Sequence, residues 1–258
     1  MISRLAAIAF FFICLLPAVL AAGPAGAQNR AGLERDFAAW LAGPALEAAR
    51  KAGVSRATFD KTVSGLSLDW SLPDLVPPGA PVKKAPTRQA EFASPGRDFG
   101  EKNIAVLAAL GRQRLERHAG VLDEIERTYG VPRRILVAIW GRESAYGRAS
   151  VPHDAIRVLA TQAFMGRRKA LFADEFTAAL KMLDKGLVTR GHLRSSWAGA
   201  LGQPQFLPSK FLLFAVDFDR DGERDIWNSV PDTLASIANF LRANGWRPGR
   251  DWGFEAVV

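Results

Sequence analysis

Cysteine is almost absent: the 258 residues contain one, Cys14. It lies inside an apolar leader, so the mature chain is expected to have no disulfides, although an oxidising compartment would permit them. The fold must therefore rest on an apolar core. Cys14 follows Phe12-Ile13 rather than small residues, so a lipid anchor is not expected. Histidine is scarce too. His118, His153 and His192 are far apart and show no ligand spacing. No Ser-His-Asp order, phosphate loop, zinc motif, internal repeat or low-complexity tract stands out. Beyond the leader there is no long hydrophobic run. Even Leu5 to Leu20 is shorter than the ~20 apolar residues that a transmembrane helix needs. The mature chain is expected to carry no transmembrane segment.

The leader itself is informative. Arg4, the apolar run and the small-x-small triplet Ala25-Gly26-Ala27 read as a signal peptide over residues 1–27. Export to the periplasm is the expectation, with Gln28 the first mature residue. The net charge is +8, and loss of Arg4 lowers it by one. A basic exported chain suits an acidic partner such as anionic lipid or peptidoglycan. Nucleic acid fits an exported chain poorly and is not expected.

The remaining chain, 28–258, is predicted to be one mainly helical domain with little β structure. Residues 31–66 look helical, with a turn at Gly53-Val54-Ser55. Pro73, Pro77, Pro78, Pro81, Pro86 and Pro95 exclude a long helix from 71–98, which is expected to be extended. From Glu101 the apolar spacing turns helical, with an interruption near Gly120. Pro132 suits a first helical position, and the helix it opens is expected to end near Gly147. Further helices are expected at about 154–165, 171–183 and 233–243. Residues 195–231 read as loop. Trp252, Phe254, Ala256 and Val258 alternate as in a strand, with the region near 69–76 as a possible partner.

In the helix after Pro132, Ile135, Leu136, Ile139 and Trp140 form one stripe, and the i+4 and i+3 spacing places Glu143 on it. A carboxyl on an apolar face has a raised pKa, because low polarity disfavours charge. Such a group can stay protonated and donate to a glycosidic oxygen. The alternative is a surface glutamate paired with Arg142 or Arg148. A second feature is Asp217, Asp219 and Asp221 in alternation, followed by Gly222, Glu223 and Asp225. This spacing matches the first half of an EF-hand loop for calcium. The twelfth position departs from it, being Asn228. A solvated acidic turn is the alternative.

The segment Val131 to Arg148, including Glu143-Ser144-Ala145-Tyr146-Gly147, resembles the catalytic helix of the lytic murein transglycosylase B family. Ser195 to Ser209, including Gly199-Ala200-Leu201-Gly202-Gln203-Pro204-Gln205-Phe206, is similar to that family's substrate loop. Phe214 to Trp246 provides a third block, and the resemblance covers most of 33–258. It implies a lysozyme-like fold. It also implies non-hydrolytic cleavage between N-acetylmuramic acid and N-acetylglucosamine, leaving a 1,6-anhydro ring, by exo or endo action. Glu143 would serve as acid and then base, with the sugar's own 6-hydroxyl attacking.

By the same resemblance, Ser196 and Gln205 would bind the sugars. Tyr146, Trp197 and Phe206 would stack on them or pack in the core, and Gly199 and Gly202 would let backbone approach the ligand. Calcium would be structural, with Asp232 closing a loop over 217–232 around Asp217, Asp219, Asp221 and Glu223, or else acting as a helix N-cap. The expected partner is the peptidoglycan glycan strand, and the expected state is a monomer. Two other readings stay open. A muramidase-type hydrolase would need a second carboxylate, with Asp154 or Glu175 as candidates. A catalytically silent wall-binding protein would need no acid at all. Longer family members continue past the point where this sequence ends at Val258.

Overall fold

Helix boundaries follow local chemistry. The computed structural model describes residues 24–73, 75–79 and 100–250. Helix α1 (Pro24–Trp40) passes into a π-turn at Leu41–Ala45, which carries Pro44, and then into α2 (Leu46–Lys51). Proline breaks the normal helical ladder, and the wider turn accommodates it. Gly53 (φ 83°) makes the expected turn, and Ser55 caps α3 (Arg56–Val63) by accepting from the Thr58 N–H.

Helices α4 (Glu101–Arg117) and α5 (Ala119–Tyr129) are separated at His118 (φ −111°, ψ 22°), close to the expected interruption. Pro132 is the N-cap residue of α6 (Arg133–Ser144), one place ahead of its expected position. Strand β1 (His153–Asp154) leads into α7 (Ala155–Met165), and α8 (Lys169–Asp184) follows. Strand β2 (Arg194–Ser195) pairs antiparallel with β1, His153 opposite Ser195.

The loop expected over 195–231 contains a helix, α9 (Pro208–Phe214). Pro208 opens it at a first helical position, which proline suits, and Glu175 holds that end from a distance: its carboxylate accepts from the Ser209 N–H at 2.8 Å and the Ser209 hydroxyl at 2.7 Å. Helix α10 (Val230–Ala243) ends at Asn244-Gly245, with Gly245 at φ 99°. Most of 71–98, all of 251–258 and residues 1–23 lie outside the described residues, and with them most of the extended segment, the C-terminal alternation and most of the leader.

Two apolar cores form. One gathers α1, α2, α3, α7, α8 and α9 around Phe37, Ile156, Leu159, Phe176 and Phe211, and takes in Leu201, Phe206 and Ile226. The other joins α5, α6 and α10 around Leu122, Ile125, Leu136, Trp140, Leu234 and Ile237. Phe240 of α10 meets Phe206 at 5.6 Å between centroids, so the seam between the cores runs beside the end of α6. No helix among the described residues is long and apolar enough to cross a membrane.

Candidate active site

Helix α6 buries Leu136, Val137, Trp140, Gly141 and Ser144. Glu143 is therefore not on the buried face, as the stripe reading expected, but at its margin beside the half-buried Ile139. The reason is axial: Glu143 lies within about 20° of helical rotation of the fully buried Leu136, but two turns further on, at the end of α6 where the packed face gives way to a cavity. The residue is exposed overall, yet it lines a cavity of about 330 Å³ on the seam between the cores. Ile139, Phe206, Ile237, Phe240 and Leu241 supply apolar walls, and Pro204, Gln205, Leu207 and Lys210 complete it. Glu143 is the only acid in that lining. Desolvation raises its pKa above the ordinary glutamate value, and the positive charge of Arg142 offsets part of the rise. Neither Arg142 nor Arg148 lines this cavity.

Gln205 and Phe206 reach the cavity from the loop after β2. Gln205 is held at φ 54°, and its Nε2 donates to the Gly202 carbonyl at 2.7 Å. Antiparallel bridges from Leu201 to Ser195 and to Phe206 fold the loop back on itself. Ser196 and Trp197 are not in the cavity lining. The Ser196 hydroxyl accepts from the Ala200 N–H at 3.2 Å, and Trp197 is 45% exposed. Gly199 and Gly202 are explained by protein packing rather than ligand approach. A Cβ at Gly199 would lie 2.4 Å from a Leu159 methyl, and one at Gly202 would lie 2.5 Å from the Ile226 carbonyl oxygen.

Tyr146 is placed differently from a sugar platform. The chain leaves α6 through three left-handed residues, Ala145 (φ 49°), Tyr146 (φ 62°) and Gly147 (φ 77°). Tyr146 turns its ring onto Trp140, 5.4 Å away, and donates its hydroxyl to the Leu107 carbonyl at 2.7 Å. It borders a separate groove between α4 and α6. The ring fits there because Gly111 and Gly141 lack side chains; a Cβ at Gly141 would lie 2.5 Å from it.

The two acids considered as a second carboxylate are occupied elsewhere. Asp154 caps α7 by accepting from the Arg157 N–H at 3.1 Å and pairs with Arg190. Glu175 is 4% exposed and holds Ser209.

Gln203 carries no mark in the sequence that separates it from Gln205, and the sequence reading passed over it. Its amide is buried between Trp140 and Trp227. Lys210, Ile237, Phe240 and Leu241 were also passed over as cavity residues, because only tertiary packing brings α9 and α10 to Glu143.

The transglycosylase SLT domain profile matches residues 36–258. The chain belongs to this family. The membrane-bound lytic murein transglycosylase B of Escherichia coli K12 is 37% identical over 129 residues, covering 50% of this chain and 36% of that protein. SltB3 of Pseudomonas aeruginosa, solved with NAG-NAM-pentapeptide, is 37% identical with a TM-score of 0.69, over 86% of this chain and 57% of that one. Slt35 of E. coli, solved with calcium, is 30% identical with a TM-score of 0.55, over 63% of this chain and 51% of that one. The SLT chain thus spans between about a third and somewhat over half the length of these relatives. The mainly helical, lysozyme-like fold class is borne out.

Beyond Glu143, the SLT chain brings together Asp217, Asp219 and Asp221, whose nearest carboxylate oxygens lie within 4.8 Å of one another. Gly222 at φ 97° turns the loop as the motif expects. Glu223 and Asp232 do not join this trio. Asp232 is fully buried and accepts from the Phe218 N–H at 2.7 Å and the Asp225 N–H at 2.8 Å, clamping the loop. Burial raises its pKa, and those backbone bonds counter the rise. The N-cap of α10 is Ser229, not Asp232.

Proposed function

We propose that this chain is a peptidoglycan lytic transglycosylase with Glu143 as its acid and base. The observation that carries the reading is one carboxyl of raised pKa, alone among acids in an apolar cavity shared with Gln205 and Phe206. Protonated Glu143 gives its proton to the glycosidic oxygen, and the bond from that oxygen to C1 of N-acetylmuramic acid breaks. The 6-hydroxyl of the same sugar attacks C1, and the Glu143 carboxylate takes the hydroxyl proton. A 1,6-anhydro ring results and the enzyme regains its starting state. Intramolecular attack needs no second carboxylate, whereas hydrolysis ordinarily uses two. The occupied state of Asp154 and Glu175 favours the lyase over the hydrolase. Gln205, with Ser196 and Trp197, binds the glycan in this reading. The SltB3 complex with NAG-NAM-pentapeptide supports the same substrate class.

Purified chain and intact peptidoglycan test this by mass spectrometry of the products. Muropeptides one water lighter than hydrolysis products are expected. Reducing ends alone would replace the lyase with a hydrolase, and no products would leave a wall-binding protein.

The reading extends to a calcium ion held by Asp217, Asp219 and Asp221. One Asp217 oxygen is buried without a hydrogen-bond partner, a state that a cation would relieve. The ion would neutralise the clustered acids and brace the loop, with no part in proton transfer. Residues 1–27 act as an export signal in this scheme, delivering a monomeric enzyme to the periplasm, which cell fractionation checks.

A further inference from the structure

Gln203 lies outside the cavity of Glu143, yet its side chain joins the segments that build it. We propose that Gln203 is a positioning residue, whose amide locks the end of α6, and so Glu143, to the loop that presents Gln205. The proposal rests on the lyase reading for its kinetic readout only.

Both ends of the amide are used. Oε1 accepts from Trp140 Nε1 at 2.7 Å, and Nε2 donates to the Trp227 carbonyl at 2.9 Å. The Gln203 N–H also donates to the Ile226 carbonyl at 2.8 Å. The residue is 8% exposed and Trp140 is 2% exposed, so water cannot substitute freely for these partners. A buried indole N–H without a partner is strongly disfavoured. The pair Trp140–Gln203 therefore fixes where the two segments meet.

The position of Trp140 matters because it precedes Glu143 by one helical turn. Its ring also holds Tyr146, which anchors the left-handed turn after α6. The fit leaves no slack at that turn: a Cβ on Gly147 would lie 2.4 Å from Gln203 Oε1. On the other side, Pro204 and Gln205 follow Gln203 directly and line the cavity with Glu143. One amide thus sets the spacing between the acid and the loop across from it. A shift of about 1 Å at such a site can cost about 10²-fold in rate.

Gln203→Met keeps the length of the side chain and removes both bonds. Per folded molecule, kcat is expected to fall by about 10- to 10²-fold with KM changed by less than about threefold, since Gln203 lies outside the cavity of Glu143 and both ends of its amide are held by protein. The titration of Glu143, followed by side-chain 13C NMR, is expected to move toward the ordinary glutamate value as its carboxyl leaves the apolar wall. A lower melting temperature with unchanged kcat and unchanged Glu143 titration would overturn the proposal and leave Gln203 a core residue. Should this variant fail to fold, Trp140→Phe removes the donor together with one ring of the indole, and its kcat per folded molecule and Glu143 titration are read in the same way. If the wild-type chain releases no glycan products, the lyase reading falls, while the Glu143 titration still decides whether Gln203 positions that carboxyl.

Discussion

Glu143 and Gln205 line one cavity from two chain segments, the first at the end of α6 and the second in a loop held at φ 54°. A non-glycine residue in that conformation carries strain of order 1–3 kcal/mol, which persists where surrounding structure imposes it. Here the Gly202 carbonyl and the Leu201–Phe206 bridge impose it. The strain aims a polar side chain into an otherwise apolar wall.

Gln205→Gly separates the two roles. Glycine adopts positive φ freely, so the melting temperature is expected to stay level or rise, despite loss of the bond to Gly202. Turnover is expected to drop at least ~10-fold, the scale of one lost transition-state hydrogen bond. Stability that collapses with activity per folded molecule intact would make Gln205 a structural residue.

Glu143→Gln is expected to abolish glycan release while circular dichroism stays close to wild type and the chain melts no lower. The amide preserves shape but neither donates nor accepts the proton as the reaction requires. General acid–base catalysis contributes about 10²–10⁴-fold, and here one group serves both steps. More than half the wild-type rate in the variant would refute the assignment.

The same carboxyl has a signature in stability. Its folded-state pKa is raised by desolvation, so the folded chain holds the Glu143 proton more tightly than the unfolded chain. That contribution is fully present below the unfolded glutamate pKa and is lost as pH rises through the raised folded value. Glu143→Gln cannot ionise. It is therefore expected to melt higher than wild type near neutral pH and equally near pH 4. Paired melting curves at the two pH values check the sign. The pH profile of kcat/KM should likewise lose activity on its alkaline side as Glu143 deprotonates.

Much of the architecture was legible because it is local. Gly53, the interruption near Gly120, Pro132 and Asn244-Gly245 mark boundaries through backbone preference alone. The helix that carries Glu143 and the acidic alternation were legible for the same reason. What failed was long-range. Helix α9 opens at Pro208 but is held by Glu175 of α8, which caps Ser209 across the fold. Sequence leaves Tyr146 between a sugar face and the core, and the left-handed turn after α6 with the glycines at 111 and 141 seats it in the protein. Gly199 and Gly202 were read as ligand-facing, whereas Leu159 and Ile226 occupy the space a Cβ would need.

Gly202→Ala tests that last point. The added Cβ would meet a backbone carbonyl oxygen at 2.5 Å, and φ is 59°. Backbone cannot swing aside as a flexible side chain can. The variant is expected to lose several kcal/mol, on the scale of severe single substitutions, about 4–5 kcal/mol at the upper end. Denaturant melts measure it; a loss below about 1 kcal/mol, the typical value for any substitution, would show that the loop relaxes.

The acidic loop is tested most directly by heat. Asp217, Asp219 and Asp221 converge within 4.8 Å, and three like charges at that spacing repel unless a cation sits among them. Asp219 already accepts from the Ser229 hydroxyl at 2.8 Å and Asp217 from the Gly222 N–H at 3.0 Å, so the loop is shaped before any ion arrives. The clamp by Asp232 keeps that shape from outside the trio. With Asn228 in place of the bidentate closing glutamate, affinity should be modest, about 10⁻⁴–10⁻³ M as in extracellular modules. At about 10 mM calcium the folded state then gains about 1.4–2.7 kcal/mol by mass action. That is about 3–10 °C for a domain of this size. The rise is expected for metal-free protein given calcium, and a chelator should reverse it. Magnesium should give little, since it dehydrates reluctantly and demands stricter octahedral geometry. Asp219→Ala combined with Asp221→Ala should remove the calcium response while leaving the clamp on Phe218 and Asp225 in place. Superimposable melting curves with calcium and with chelator would show instead that the three acids form a solvated turn.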